Sequence, residues 1–385
     1  MRLDRRQALF GLGALATGPL WTASARAQAS PDLWARASAM AEAIVAEKLT
    51  PGLQISVRQG AEILFEQGFG LANIETNTPL TPASVMRIGS VTKQFTAATI
   101  LLLEADGKLA VTDPLSRFLP DFPRAADITL ERMLNHTSGL GNYTDAATLE
   151  AFLQGGRPDR SMAGMVALMA ASDNLHAFEP GADWAYSNTA YVLLGAVIEA
   201  AEGKPLAQSL RDRLFAPLGL ASTALDDAGD IVPGRASGYS NTSDPNGFAN
   251  ASFLSMTYPG AAGAMRSTAT DLCRWHQALL GGRVLPPSAL ARMLTPATLA
   301  DGKAPRSGGA EVRYAFGLGL SPAGGREVIS HGGGINGFSA YLGTYRAADL
   351  SLATVVNADG GLTAGPVLGL RVRAIREAIR DALLA

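Results

Sequence analysis

The sequence is poor in the residues that staple or metallate a fold. It holds a single cysteine, Cys273, so no intrachain disulfide can form. Cys273 lies in a helix-like run, Asp271 to His276, where a buried, inert thiol is expected. The four histidines, at 136, 176, 276 and 331, are scattered without metal-ligand spacing, and no metal site is expected. Basic excess is missing too. The net charge is −2 and no Lys or Arg run suggests a nucleic-acid face. After the N-terminus no stretch reaches 18 uninterrupted apolar residues, so no later membrane span is expected. What remains is ordinary globular composition, 47% hydrophobic and 17% charged over 385 residues, enough for one large core.

The N-terminus reads as a targeting segment. Arg2, Arg5 and Arg6 precede a mildly apolar, Gly-containing run from Ala8 to Trp21. Ala25-Arg26-Ala27 and Ala27-Gln28-Ala29 both fit a small-x-small cleavage site. The Arg5-Arg6 pair resembles a twin-arginine export signal, although Ala8 stands where a larger apolar residue is common. Residues 1–29 are therefore expected to be a cleaved leader, rather than a membrane anchor, of a periplasmic or secreted protein. Residues 30–385 are expected to form one catalytic domain.

Hydrophobic periodicity predicts a helix over 32–48, then a hairpin of Leu53–Val57 and Glu62–Phe69 turning at Gln59-Gly60. A strongly apolar helix runs from Ser90 to Gly107. Residues 110–310 are mostly helical, with segments at 128–135, 162–171, 189–202, 206–215 and 270–280. Residues 234–262 read as a long loop on the rim of a cleft. Strands return at Arg313–Leu320, Glu327–Ser330, Phe338–Tyr345 and Leu350–Val356, and a helix over 364–384 closes the chain. Strands at both ends around a helical middle predict an α+β fold. One antiparallel sheet would draw on both termini, in an α/β lobe of 30–110 and 310–385. A helical lobe, 111–309, would be inserted.

Three stretches carry candidate chemistry. Ser90-Val91-Thr92-Lys93 places a lysine one turn after a serine, on the same face. With 25 serines and five lysines, chance alone gives about 0.3 such spacings. An N-cap serine with an exposed lysine thus competes with a nucleophile and its base. Tyr186-Ser187-Asn188 opens an apolar helix, where phenol and amide can point the same way. An N-cap asparagine with a packed tyrosine is the alternative. Tyr239-Ser240-Asn241 repeats the tripeptide without a following apolar helix and reads as a turn. His331-Gly332-Gly333-Gly334 follows a strand and could offer a backbone N–H to an oxyanion. A flexible hairpin linker ending at Asn336-Gly337 would look the same.

S-x-x-K, Y-x-N and a [K/H]-[T/G]-G triplet, in that order and at wide spacing, resemble the signature of the serine β-lactamase and penicillin-binding-protein superfamily. The tyrosine of the second motif resembles the class C branch, with its D-aminopeptidases, D-Ala-D-Ala carboxypeptidases and carboxylesterases. Leu134–Leu140 (LNHTSGL), Tyr186–Glu199, Pro217–Leu220, Gly263–Thr268 and Ser330–Phe338 are similar to the same branch. The likeness runs from about residue 36 to the C-terminus and implies a β-lactamase/transpeptidase-like fold. It implies Ser90 as acylated nucleophile, Lys93 as its base and Tyr186 as proton donor to the leaving group. Asn188 would orient Lys93 and the substrate. The N–H groups of Ser90 and Gly334 would form the oxyanion hole, with no metal or cofactor.

The third motif departs from the Lys-Thr-Gly of true class C β-lactamases. His331 replaces a fixed positive charge with a ring mostly neutral near pH 7, and Gly332 removes a hydroxyl. Recognition of a substrate carboxylate is weakened, which favours small-molecule esters, amides or D-amino-acid peptides over β-lactams. Activity on cell-wall peptides or β-lactams, and a non-catalytic binding role on the same fold, stay open.

Overall fold

The computed structural model describes residues 31–145, 149–242 and 247–385. The leader read in residues 1–29 lies outside the described residues. Seven strands form one antiparallel sheet in the order 319–323, 326–335, 338–345, 350–356, 52–59, 62–73 and 78–79. The first and last thirds of the chain meet at its centre, where Gly52–Gln59 pairs with Leu350–Val356. Both of these strands are buried almost throughout. Alternation explains how. Leu53, Ile55 and Val57 join one hydrophobic cluster, while Gln54 and Ser56 turn to the other face. Gln54 Oε1 accepts from Ala269 N there (3.1 Å).

The first face is covered by the terminal helices. Pro31–Ala46 buries Leu33, Ala37, Ala41 and Ile44, and Gly361–Leu383 buries Leu368, Val372, Ile375 and Ile379. Both sets have helical spacing. The other face packs on Ala269–Leu280, capped by Thr268, whose hydroxyl accepts from Asp271 N. Cys273 is buried on this helix against Ser56 O (3.4 Å), and burial pushes its thiol up to about 12. Beyond it lies Thr92–Ala105, buried on nearly every side. Its Phe95 stacks on Trp275 at 4.1 Å. Gln94 Oε1 accepts from Trp275 Nε1 (3.0 Å) and His276 Nε2 (2.8 Å). Among the described residues no helix is long and apolar enough to cross a membrane.

Two expectations change and one alternative is removed. The strand expected at Arg313–Leu320 starts only at Gly319 and runs to Ala323. Upstream the chain leaves the extended path at Gly317 (φ +70°), where a Cβ would lie 2.8 Å from the Lys93 carbonyl. The glycine triplet is no linker: the strand runs Arg326–Ile335 through all three glycines. Tyr239–Asn241 is a short strand paired with Phe248–Asn250, not a turn.

Trp275 anchors the contact between the sheet and the central helix. Trp275→Ala should lower the unfolding free energy by about 3–5 kcal/mol. Equilibrium urea denaturation measures this, and a loss under about 1 kcal/mol would contradict the packing described.

Candidate active site

Ser90 sits in a 3-10 turn, Gly89–Val91, that runs straight into the Thr92–Ala105 helix. It caps nothing, which corrects the N-cap reading. The hydroxyl that bonds back at this turn is Thr92 Oγ1, to Gly89 O (2.7 Å). Ser90 is half-buried at a cavity wall, and Lys93, one turn on, is fully buried. Its Nζ lies 3.1 Å from Ser90 Oγ, 2.8 Å from Asn188 Oδ1 and 2.8 Å from Ala262 O. The lysine is therefore the opposite of an exposed helix residue.

The second motif is also reassigned. Ser187, not Asn188, is the N-cap of the Asn188–Glu202 helix, accepting from Ala190 N (3.2 Å). That leaves the Asn188 amide free to accept from Lys93 with Oδ1 and donate from Nδ2 to Thr144 Oγ1 (3.2 Å). The Tyr186 ring lies under Lys93, with Nζ 4.7 Å from its centroid. Its buried Oη has no hydrogen-bond partner among the described residues. Burial pushes this phenol well up, and the neighbouring Ser90 hydroxyl offsets part of the rise.

The 326–335 strand forms the opposite wall. A Cβ on Gly333 would sit 2.0 Å from Ile88 O and 3.1 Å from Ser90 N, so only glycine lets the strand lie on this backbone. A Cβ on Gly89 (φ +50°) would sit 2.8 Å from Gly334 N, and Ser90 and Gly334 line the same cavity. His331 is not among its lining residues; its ring lies 6.2 Å from that of Tyr186. Nδ1 donates to Gly332 O (2.5 Å), so Nε2 is the acceptor for the Tyr314 hydroxyl (3.0 Å). Burial, then the Lys93 charge, lower His331 to about 4.

Behind the motifs lies a shell of rings, and among the described residues no carboxylate pairs with Lys93. His136, buried with φ +66°, accepts from Ser187 N at Nδ1 (3.1 Å) and packs on Tyr186, Tyr191 and Tyr314. Burial, then Lys93 and His331, hold it neutral. Lys93 itself is driven far below the ordinary lysine value by burial. The structure thus brings Ser90, Lys93, Tyr186, Asn188 and the 331–334 backbone to one place. Sequence reasoning missed Tyr314, read as an ordinary strand residue, and the Ala262 carbonyl, which no side-chain motif can signal. It named His136 only among the scattered histidines and within LNHTSGL, without a role. It also missed Asp359, which lines the Ser90 cavity.

The family model described as Beta-lactamase matches residues 37–377. Penicillin-binding protein 4* of Bacillus subtilis is 30% identical over 302 residues, covering 74% of this chain. Esterase EstB of Burkholderia gladioli is 34% identical over 198 residues, 49% of this chain. The chain spans only 64% and 50% of the lengths of those two proteins. Among solved structures, the D-amino acid amidase of Ochrobactrum anthropi SV3 complexed with D-phenylalanine aligns with TM-score 0.78 and 27% identity. That alignment covers 91% of this chain and 99% of the amidase.

Two outcomes follow from this geometry. Gly333→Ala must force the strand off Ile88. It should cost about 1–3 kcal/mol of stability, measured by urea denaturation, and detach Gly334 from Ser90. The second concerns pH. Burial holds His331 at about 4 and His276 at about 3 in the folded chain, against about 6.5 unfolded. Below pH 6.5 the unfolded state binds protons that the folded state refuses. Stability is thus full above 6.5 and is lost as pH falls toward 4, at up to about 1.4 kcal/mol per pH unit for each ring. Denaturation at pH 7.5, 6 and 5 should show this slope, and His276→Gln should flatten it. An unchanged slope in that variant would remove His276 from the account.

Proposed function

The chain belongs to the beta-lactamase family, and on that footing we propose that it is an exported serine hydrolase cleaving esters or small amides through an acyl-Ser90 intermediate. The observation that carries this reading is the valence around Lys93 Nζ. A neutral amine has two N–H donors and one lone pair. Asn188 Oδ1 and Ala262 O are pure acceptors at 2.8 Å and take the two donors. The lone pair is left for the third neighbour, Ser90 Oγ, whose O–H can donate to it. Burial with no carboxylate favours this neutral form. In that neutral form the amine is a base aimed at the Ser90 hydroxyl.

In the proposed step Ser90 Oγ attacks the carbonyl carbon while its proton passes to Lys93. The developing oxyanion takes the N–H groups of Ser90 and Gly334, each donor of this kind being worth about 10²–10³ in rate. Tyr186 is the proton donor to the leaving group. Burial raises its phenol, so it stays protonated and has a proton to give, and no phenolate stands ready as a base. The two groups thus divide the work, Lys93 taking the proton and Tyr186 supplying one, although they titrate as a coupled pair. Water then attacks the acyl carbon and the same groups run in reverse. His331 supports esters and small amides over carboxylate-bearing substrates, because a ring at about 4, turned to Tyr314, offers an anion no charge. Arg5-Arg6 and the alanine-rich sites before Ala29 assign the protein, in the same proposal, to the periplasm or medium.

A fluorophosphonate probe should label the protein, and Ser90→Ala should abolish labelling. Absence of Ser90-dependent labelling and of turnover would sink the enzyme reading and leave a binding role. Rapid Ser90-dependent turnover of penicillin would overturn the ester preference. Tyr186→Phe separates the two roles further. p-Nitrophenolate leaves without a proton, whereas an amine needs one. The variant should lose about 10²–10⁴ in kcat on amides and far less on p-nitrophenyl esters. Equal losses would remove the donor role. kcat/KM should rise with pH as Lys93 loses its proton, and His331→Gln should not move that limb, since His331 is already neutral above about 4.

A further inference from the structure

We propose that a cavity between the C-terminal helix and the sheet binds a phosphate group, held by the Arg376 guanidinium. The cavity, about 220 Å³, is walled by Gly361–Leu383 on one side and by the strands 319–323, 326–335 and 338–345 on the other. It shares no lining residue with the Ser90 cavity. It opens on the sheet face of Val328 and Leu352, whereas Ile329 and Ala353 turn to the face of the Trp275 helix. Nothing in this cavity depends on Ser90 being a nucleophile.

Three arginines line the helix side, Arg373, Arg376 and Arg380, at the spacing of one helix face. Two of them are taken. Arg373 Nε donates to Glu377 Oε1 (2.8 Å), the one carboxylate among the lining residues. Arg380 Nε donates to Asp381 Oδ1 (2.7 Å). Arg376 makes no ion pair among the described residues. Its Nη1 donates to Thr354 Oγ1 (3.2 Å), and its Cζ lies 4.0 Å from the Tyr341 ring centroid. Burial lowers this guanidinium from the usual arginine value, but it keeps its proton. The fold thus holds a half-buried charge that no carboxylate pairs with.

The surroundings are shaped for that charge. Tyr341 lies back along its own strand over Gly343, where a Cβ would sit 2.6 Å from the phenol oxygen. Glycine at 343 clears the place of the ring on which Arg376 stacks. Stacking uses the face of a guanidinium and leaves its in-plane N–H groups to a ligand. Of five such donors, one is spent on Thr354. Ser321 and Ser330 line the sheet side, on the same face of adjacent strands, since Ser321 pairs with Val328 and Ser330 follows two residues on. Neither hydroxyl is engaged by another described residue. Donors therefore come from two sides. A tetrahedral oxyanion, with an acceptor at each corner, satisfies them better than a planar carboxylate. Three guanidiniums against one carboxylate also suit a dianion.

At about pH 7.5 inorganic phosphate is mostly a dianion, and calorimetry should find saturable binding with Kd about 1 mM. Arg376→Gln should weaken it about tenfold or more, the loss expected for a charge-assisted contact. An unchanged Kd in a folded variant overturns the proposal. Phenylglyoxal, which modifies guanidiniums, locates the site without any variant. About 5 mM phosphate should slow modification of Arg376 about sixfold relative to chloride at equal ionic strength, read by peptide mass spectrometry. No protection of Arg376 overturns the proposal even where Arg376→Gln does not fold. Acetate that protects as well as phosphate overturns the choice of a phosphate group. Protection by phosphatidylglycerol vesicles but not by inorganic phosphate overturns a small ligand in favour of a membrane surface.

Discussion

The arrangement depends on one costly burial, the amine of Lys93 without a counter-ion. An ammonium taken from water into such a place loses several kcal/mol of solvation unless it is paired. Here the partners are two carbonyl oxygens and a hydroxyl, backed by aromatic rings and by two imidazoles that burial keeps neutral. Each of these is supplied by a different part of the chain. The serine comes from the turn before the central helix, the amide from residue 188, the carbonyl from residue 262, and the rings from 186, 191 and 314. The fold brings those segments together around an amine that, among the described residues, pairs with no carboxylate.

The sheet contributes by closure rather than by side chains. Residues 52–59 and 350–356 pair at its centre, so the 326–335 strand is held in register two places away. That strand then meets the Ile88–Ser90 backbone through its glycines. Cover on both faces, from the terminal helices on one side and the Trp275 helix on the other, makes this register rigid enough to place a main-chain N–H.

Much of this was legible in the sequence, and the reasons differ by residue. The meander strands Phe338–Tyr345 and Leu350–Val356 were read to the residue because alternating apolar patterns end at sharp turns. Ser90 and Lys93 were legible because their spacing is local. What failed was hydrogen-bond direction. Whether Ser187 or Asn188 caps a helix depends on which side chain a distant lysine claims, and that lysine is 95 residues away. Tyr314 and Asp359 carried no signal, since nothing beside them in sequence marks the cavity or ring cluster they enter. The glycine triplet was read as a strand edge offering a backbone N–H, but a linker stayed open beside it, because its reason for being glycine is a neighbour some 240 residues earlier.

The contact at Gly333 has a wider consequence. Between that residue and Ile88 there is no room for a side chain, so this wall of the reactive centre is bare peptide. Peptide dipoles respond to the shape and charge of a reacting carbonyl and are blind to what is attached to it. On the proposed reaction, chemistry and substrate choice are therefore written in separate places on this molecule. The wall beside Ser90 is backbone, and side chains of this segment line the cavity only from Ile335 onward.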